Sequence, residues 1–321
     1  MSTATTLSAA DVALYHQQGF LLIEVFSAAE AAVLRQRIDD ILLPAGTQIT
    51  ADNTFHSSAN QHAGDAITTY GRLSKHYYFH LITDALFLPL QHLFHEQRIL
   101  APVTDLLGGP LILNNASLFA AEPGTCYKLG WHRDVIQIPP AEIDAEAIFN
   151  PQRFHNSVQI NLPLYEDETL WVVPGSHVRP DLPGEIAAFA GSKHYAPIDA
   201  EMPGGVNVRM RPGQAVLYNN NLIHRGRNAC FTVPRRSLHL GYHSAARPPT
   251  WHFYLLDETA FTPAYRARMS PAVNAMIDAY FACRRDYPRM ADTWKFPRSD
   301  GNSGANHQGA AGGQLEMPMP R

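Results

Sequence analysis

His132-x-Asp134, a distant His224, and Arg235 eleven residues beyond it are the side chains in this chain best suited to do chemistry. Two imidazoles and one carboxylate on a single face of an octahedron are the ligand set of a non-haem Fe(II) that keeps positions open for an oxidant and a co-substrate. An arginine downstream suits the far carboxylate of such a co-substrate, which a guanidinium holds by a forked, charge-assisted pair. Together the four residues point to oxygenase chemistry.

Each piece also has a plainer reading. With 16 histidines in 321 residues, about one His-x-Asp arises by chance, and a loop histidine beside a turn-capping aspartate accounts for it. His224 follows an Asn-rich turn, Asn219-Asn220-Asn221, and reads equally as a half-buried histidine. Order and spacing favour the metal. His132 and Asp134, two apart, share one face of an extended strand. They open the β-rich half, and His224 follows 92 residues later at a strand end.

Composition narrows the rest. A chain that is 45% hydrophobic and 17% charged has ample material for a core. A net charge of −4 and a pI near 6.5 argue against nucleic acid or an anionic membrane as partner, leaving a small-molecule substrate. Three cysteines, Cys126, Cys230 and Cys283, fit neither a disulfide framework nor a zinc site. The start of the chain has no basic-then-apolar signal pattern, and a cytoplasmic protein is expected.

Helices come first along the chain. Ser8 opens a helix that Gly19 stops, a strand covers residues 20–26, and Ser27 with Glu30 forms a capping box for a helix ending near Leu42. Val33, Leu34, Ile38, Ile41 and Leu42 are its expected buried face. Residues 45–80 show no period and read as a functional loop, followed by a helix over 89–107. Short alternating runs at 111–119, 157–164, 170–173, 205–210, 215–218 and 236–242 read as strands, and 270–287 as a last helix. The expected fold is an all-β core with flanking helices: a double-stranded β-helix, the cupin-like jelly roll. Its parts are a helical segment over 8–108, the jelly roll over 109–245 and a helical segment over 246–298. All belong to one domain spanning 1–298, before a disordered Gly/Asn/Ala-rich tail at 299–321.

The phrases Trp131-His132-Arg133-Asp134, Val172-Val173-Pro174-Gly175-Ser176-His177, and His224-Arg225-Gly226-Arg227-Asn228 leading to Pro234-Arg235 resemble the phytanoyl-CoA dioxygenase family of Fe(II)/2-oxoglutarate oxygenases. Gly19-Phe20-Leu21-Leu22 and Leu106-Leu107-Gly108 resemble that family's opening, and the likeness runs over about residues 8–245. The resemblance implies that His132, Asp134 and His224 ligate the catalytic iron. It implies that Arg235 binds the C5 carboxylate of 2-oxoglutarate, with Arg236 its competitor, and that O2 is the oxidant. Related halogenases carry a small residue in place of Asp134, so a carboxylate favours hydroxylation, or desaturation, epimerisation or ring formation by the same oxidant. The substrate expected is a small, specialised metabolite. A non-catalytic jelly-roll module that binds a metal or ligand is the rival of another class.

Softer candidates complete the site. Gln159 and Asn161 alternate with Val158, Ile160 and Leu162, so the polar set faces either water or the pocket. Lys75 sits where some relatives contribute a basic residue to the co-substrate, and otherwise reads as a solvated lysine. His177 is expected to support a turn rather than to ligate. The chain departs from the resembled pattern at Gly213-Gln214, where Gly-Asp is common. It departs again at the short loop Glu166-Asp167-Glu168-Thr169, which lacks an Asn-Gly pair.

Overall fold

The computed structural model describes residues 6–42, 48–49, 55–56, 77–82, 85–124, 127–134, 156–191, 195–228, 231–246 and 258–286. The expected tail at 299–321, Lys75, Cys126, Cys230 and most of the stretches 45–80 and 136–155 lie outside them.

The opening follows local chemistry closely. Helix α1 (Ala9–Gln18) is capped by Ser8, whose side chain accepts from the Asp11 amide while Asp11 reaches back, and it ends at Gly19 with φ 84°. A side chain at Gly19 would collide with the His177 ring and Leu222, so this turn needs glycine for space as well as conformation. Strand β1 (Phe20–Glu24) leads to α2 (Ala28–Leu42), where Ser27 Oγ accepts from the Glu30 amide at 3.2 Å and Glu30 accepts from the Ser27 amide at 2.8 Å. Leu34, Ile38 and Leu42 are buried as expected, but Val33 is 56% exposed; Ala31 takes its place on the buried face.

The helix expected over 89–107 is two elements. A run of 3-10 turns covers Ala85–His95 with Pro89 inside it, and α3 (Gln97–Leu107) starts afresh where Glu96 accepts from the Arg98 amide. Pro89 supplies no backbone N–H for an α-helical ladder, and Glu96 re-caps the chain after it. Two short pairings precede these, β2 (Gln48–Ile49) with β3 (Phe55–His56), and then β4 (Tyr77–His80). Strand β4 falls within the stretch read as loop. It pairs with β5 (Leu111–Ala121), an edge position that local periodicity does not reveal.

The remaining strands are β6 (Tyr127–Lys128), β7 (Val158–Pro163), β8 (Leu170–Val172), β9 (Val206–Asn207), β10 (Gln214–Asn219), β11 (His224–Asn228) and β12 (Arg235–Ser244). Antiparallel pairing orders them as a larger sheet, β1-β10-β7-β12-β5-β4, and a smaller one, β6-β11-β8-β9. Strand β9 is shorter than the expected 205–210; the rest of that run contributes one isolated bridge, Asp167 to Met210. Strand β11 was not expected as a strand at all, since Arg225, Gly226 and Arg227 carry no apolar alternation.

The larger sheet is covered on both faces. On β7, β12, β5 and β10, the residues Ile160, Leu162, Leu238, Leu240, Leu118 and Leu217 pack with Leu34, Ile38 and Leu42 of α2 and Val103 and Leu106 of α3. Ile277 and Tyr280 of α6 (Pro271–Asp286) join the same core, after α4 (Pro183–Phe189) and the single turn α5 (Pro263–Arg266). The alternate residues face the smaller sheet. There Val216 and Tyr218 meet Leu170, Val172, Val208 and Met210, closing one side of the sandwich with apolar side chains. The opposite side, between β12, β7, β5 and β11, is lined by polar groups. A barrel of this kind is expected to point apolar residues inward; here the helices supply the apolar partner outside, freeing the inner face for chemistry.

Candidate active site

Backbone hydrogen bonds join the two histidine segments. His132 N donates to His224 O and His224 N to His132 O, both at 2.9 Å, and Asp134 N donates to Asn220 O at 3.0 Å. The ring of His132 holds Gly130 O at 2.9 Å through Nδ1, and the ring of His224 holds Leu222 O at 2.8 Å through Nδ1. Each Nδ1–H is thereby committed to a carbonyl, which fixes the tautomer and leaves Nε2 as the basic nitrogen. His132 Nε2 lies 3.4 Å from Asp134 Oδ1 and His224 Nε2 lies 3.7 Å from Asp134 Oδ2. One ligand atom from each residue falls within 4.8 Å of the others, and all three are buried. A loop histidine with a capping aspartate would not converge this way. Two neutral imidazole nitrogens and a carboxylate in this array form a donor set for a divalent transition metal.

Arg133 stands between two of these residues and ties the loops together. It is buried, and its Nη1 donates to Ser176 O at 2.7 Å and Asn221 O at 2.6 Å, while Nε and Nη2 fork onto Asp181 Oδ1 at 3.0 and 2.6 Å. One guanidinium therefore pins the His-x-Asp segment to the Pro174-Gly175-Ser176-His177 turn and to the turn before His224. His177 Nε2 meets His16 O at 3.1 Å, so this residue supports the turn against α1.

Both polar candidates on β7 face inward. Gln159 Nε2 donates to Asp134 Oδ2, and Tyr218 OH donates to Gln159 Oε1 at 3.2 Å, so Gln159 orients the Asp134 carboxylate. Asn161 Oδ1 lies 2.7 Å from His239 Nδ1. The register sets His239 between Asn161 and Ser117 on the neighbouring strands. The His239 ring stacks obliquely against Phe119, and the Tyr218 ring meets His224 edge-on.

Arg235 lies on the same face of β12 as His239 and is buried. Its Nε donates to Asp167 Oδ2 at 2.8 Å, and its guanidinium carbon sits 4.9 Å from the Phe119 ring centre and 5.8 Å from that of Tyr127. Burial alone would raise the Asp167 carboxyl, but Arg235 and the Thr169 amide together hold it below its ordinary value. Burial pushes the Tyr127 phenol up to about 12, so it stays neutral beside the pair. Gly226 on β11 leaves room for this ring; a Cβ there would stand 2.4 Å from Tyr127 Cε1. Arg236 points the other way and is spent on structure, donating to Asp39 at 2.8 Å and Glu122 at 2.5 Å. Of the two arginines, Arg235 is thus the one on the inward face of β12, whereas Arg236 is engaged by Asp39 and Glu122. Ser237 Oγ, fully buried on the Arg235 face, has no hydrogen-bond partner among the described residues, a donor suited to a bound carboxylate.

Asp167, His239, Tyr218 and Arg133 went unread as site residues in the sequence. Alternation along β12 placed His239 on the Arg235 face, and that signal was available. Nothing local marks Asp167, whose role depends on two sheets meeting.

The profile of the phytanoyl-CoA dioxygenase (PhyH) family matches residues 15–236. No curated protein matches the sequence. Among solved structures, HygX from Streptomyces hygroscopicus, with nickel and 2-oxoglutarate bound, is similar at TM-score 0.50 and 18% identity over 75% of this chain and 88% of that one. The non-haem α-ketoglutarate-dependent epimerase SnoN from nogalamycin biosynthesis gives TM-score 0.48 and 20% identity, over 74% of this chain and 82% of that one. The family profile spans most of the chain and contains the converging histidines and carboxylate: this protein belongs to the phytanoyl-CoA dioxygenase family of iron- and 2-oxoglutarate-dependent enzymes.

Proposed function

We propose that the chain hydroxylates a small organic metabolite, using Fe(II) held by His132, Asp134 and His224 and 2-oxoglutarate anchored by Arg235. The observation that carries this reading is the convergence of two Nδ1-committed histidines and a carboxylate, all buried, with Arg235 buried on the inward face of β12. When bound, the iron and 2-oxoglutarate supply oxidative decarboxylation to succinate and CO2, coupled to oxidation of a C–H bond by O2. The protein's part is orientation. Gln159 holds Asp134 in place, Tyr218 holds Gln159, and the carbonyls of Gly130 and Leu222 fix the two imidazoles. Arg235, with Ser237 beside it, fits a distal carboxylate.

A small-molecule substrate agrees with HygX, which has also been solved with hygromycin B bound. The polar row Ser117, His239 and Asn161 favours a substrate with hydrogen-bonding groups over a bare hydrocarbon. Among the described residues no helix is long and apolar enough to cross a membrane, and we take the protein to act in the cytoplasm. We further take residues 1–298 as one oxygenase domain.

The test is O2 consumption with matched succinate release by Fe(II)-loaded protein during a screen of small metabolites. A product heavier by one oxygen supports hydroxylation. A product of unchanged mass, or one lighter by two hydrogens, with succinate still formed, would replace it with epimerisation, or with desaturation or ring closure. Iron binding without succinate under any condition would favour the non-catalytic module.

A further inference from the structure

The short loop between β7 and β8 carries Asp167, whose carboxylate is almost fully buried. The backbone there is held from both sides, Asp167 N donating to Met210 O at 3.1 Å and Met210 N to Asp167 O at 2.9 Å. Its Oδ1 accepts from the Thr169 amide at 2.7 Å, and Oδ2 accepts from Arg235 Nε at 2.8 Å. The carboxylate is therefore a rigid acceptor rather than a swinging side chain. The Phe119 and Tyr127 rings hold the guanidinium at its faces, and Asp167 holds one edge.

From this we propose that Asp167 is the positioning residue of the co-substrate site. It fixes the Nε edge of Arg235 and so sets the direction in which the guanidinium meets the distal carboxylate. This rests on the proposed use of 2-oxoglutarate. The Arg235–Asp167 pair is neutral overall, so an incoming carboxylate is held by the direction of the guanidinium's hydrogen bonds and not by excess positive charge. Orientation of the guanidinium then decides how well the distal carboxylate is read.

The experiment compares 2-oxoglutarate with 2-oxovalerate, which lacks the distal carboxylate, by anaerobic titration of the Fe(II)-loaded full chain followed through the visible absorption of the chelate. Wild type binds 2-oxoglutarate more tightly. In D167A, and in D167L (which keeps more of the volume should Ala fail to fold), that preference falls by at least about tenfold while 2-oxovalerate affinity stays unchanged. D167N, which keeps an acceptor for Nε, restores most of the preference. An unchanged or larger preference in the folded Ala or Leu variants overturns the proposal, as does parallel weakening of both ligands, the mark of a merely structural role. Wild type that binds Fe(II) but gives no absorption with 2-oxoglutarate would instead sink the co-substrate reading, and this proposal with it.

Discussion

Replacing Arg133 with methionine keeps a long apolar stem in the same space but removes the guanidinium that joins three segments. Three carbonyls lose this donor: those of the fully buried Ser176 and Asn221, and that of the half-buried Arg179. A buried acceptor left unsatisfied costs about 1–3 kcal/mol. The Asp181 side chain is 23% exposed and regains water, so it adds little. R133M is therefore expected to lose about 2–6 kcal/mol of unfolding free energy, the sum for the two buried carbonyls. The corresponding fall in Tm is on the order of 10 °C. Urea denaturation of metal-free protein, with an unchanged m-value, measures the first, and Fe(II) titration of the folded variant measures its consequence. Because Arg133 holds both ligand-bearing segments, iron affinity falls as well. Unfolding free energy within about 1 kcal/mol of wild type, with iron affinity unchanged, would refute the idea that one guanidinium assembles the metal face.

Other perturbations separate the neighbouring roles. R235A is expected to raise the 2-oxoglutarate requirement roughly 10–100-fold, the worth of charge-assisted hydrogen bonds, in a KM measurement. R236A instead lowers stability, because it frees Asp39 and Glu122, and leaves that KM nearly unchanged; the reverse pattern would exchange the two assignments. G226A pushes a methyl group into the Tyr127 ring beside Arg235 and is expected to raise the same KM, with a normal KM speaking against that packing. Glu30 is held at about 2 by its hydrogen bond from Arg98 and then by those from Ser27. Its folded value lies below the unfolded one, so its contribution is present above about pH 4.5 and lost as pH falls through about 2. The Tm difference between wild type and E30Q is thus expected to shrink on acidification, and a difference independent of pH would contradict this.

What the sequence disclosed and what it withheld divide along physical lines. The candidate metal face was legible because few residue types suit such a metal and the phrases around them resemble one family. The expected strand through His132 and Asp134 is not formed: His132 makes only an isolated bridge to His224, and Asp134 lies beyond it. Caps at Ser8 and Ser27 and the stop at Gly19 were legible because they are satisfied within a few residues. Strand β11 was hidden because Arg225, Gly226 and Arg227 answer to Trp131, Tyr127 and Glu201, partners remote in the chain. The inward direction of Gln159 and Asn161 was open because alternation gives two faces without saying which is the core, and here helices cover the apolar one. Asp167 looked like an ordinary loop carboxylate until β12 brought Arg235 to it.

The most direct measurement is anaerobic titration of the metal-free chain with Fe(II) and 2-oxoglutarate, monitoring the weak visible charge-transfer absorption of a bidentate keto-acid chelate. Absorption that saturates with the co-substrate in wild type and is lost in H224A is the expected result. Iron bound at the same residues without that absorption would contradict the claim that His132, Asp134 and His224 leave an iron open to 2-oxoglutarate.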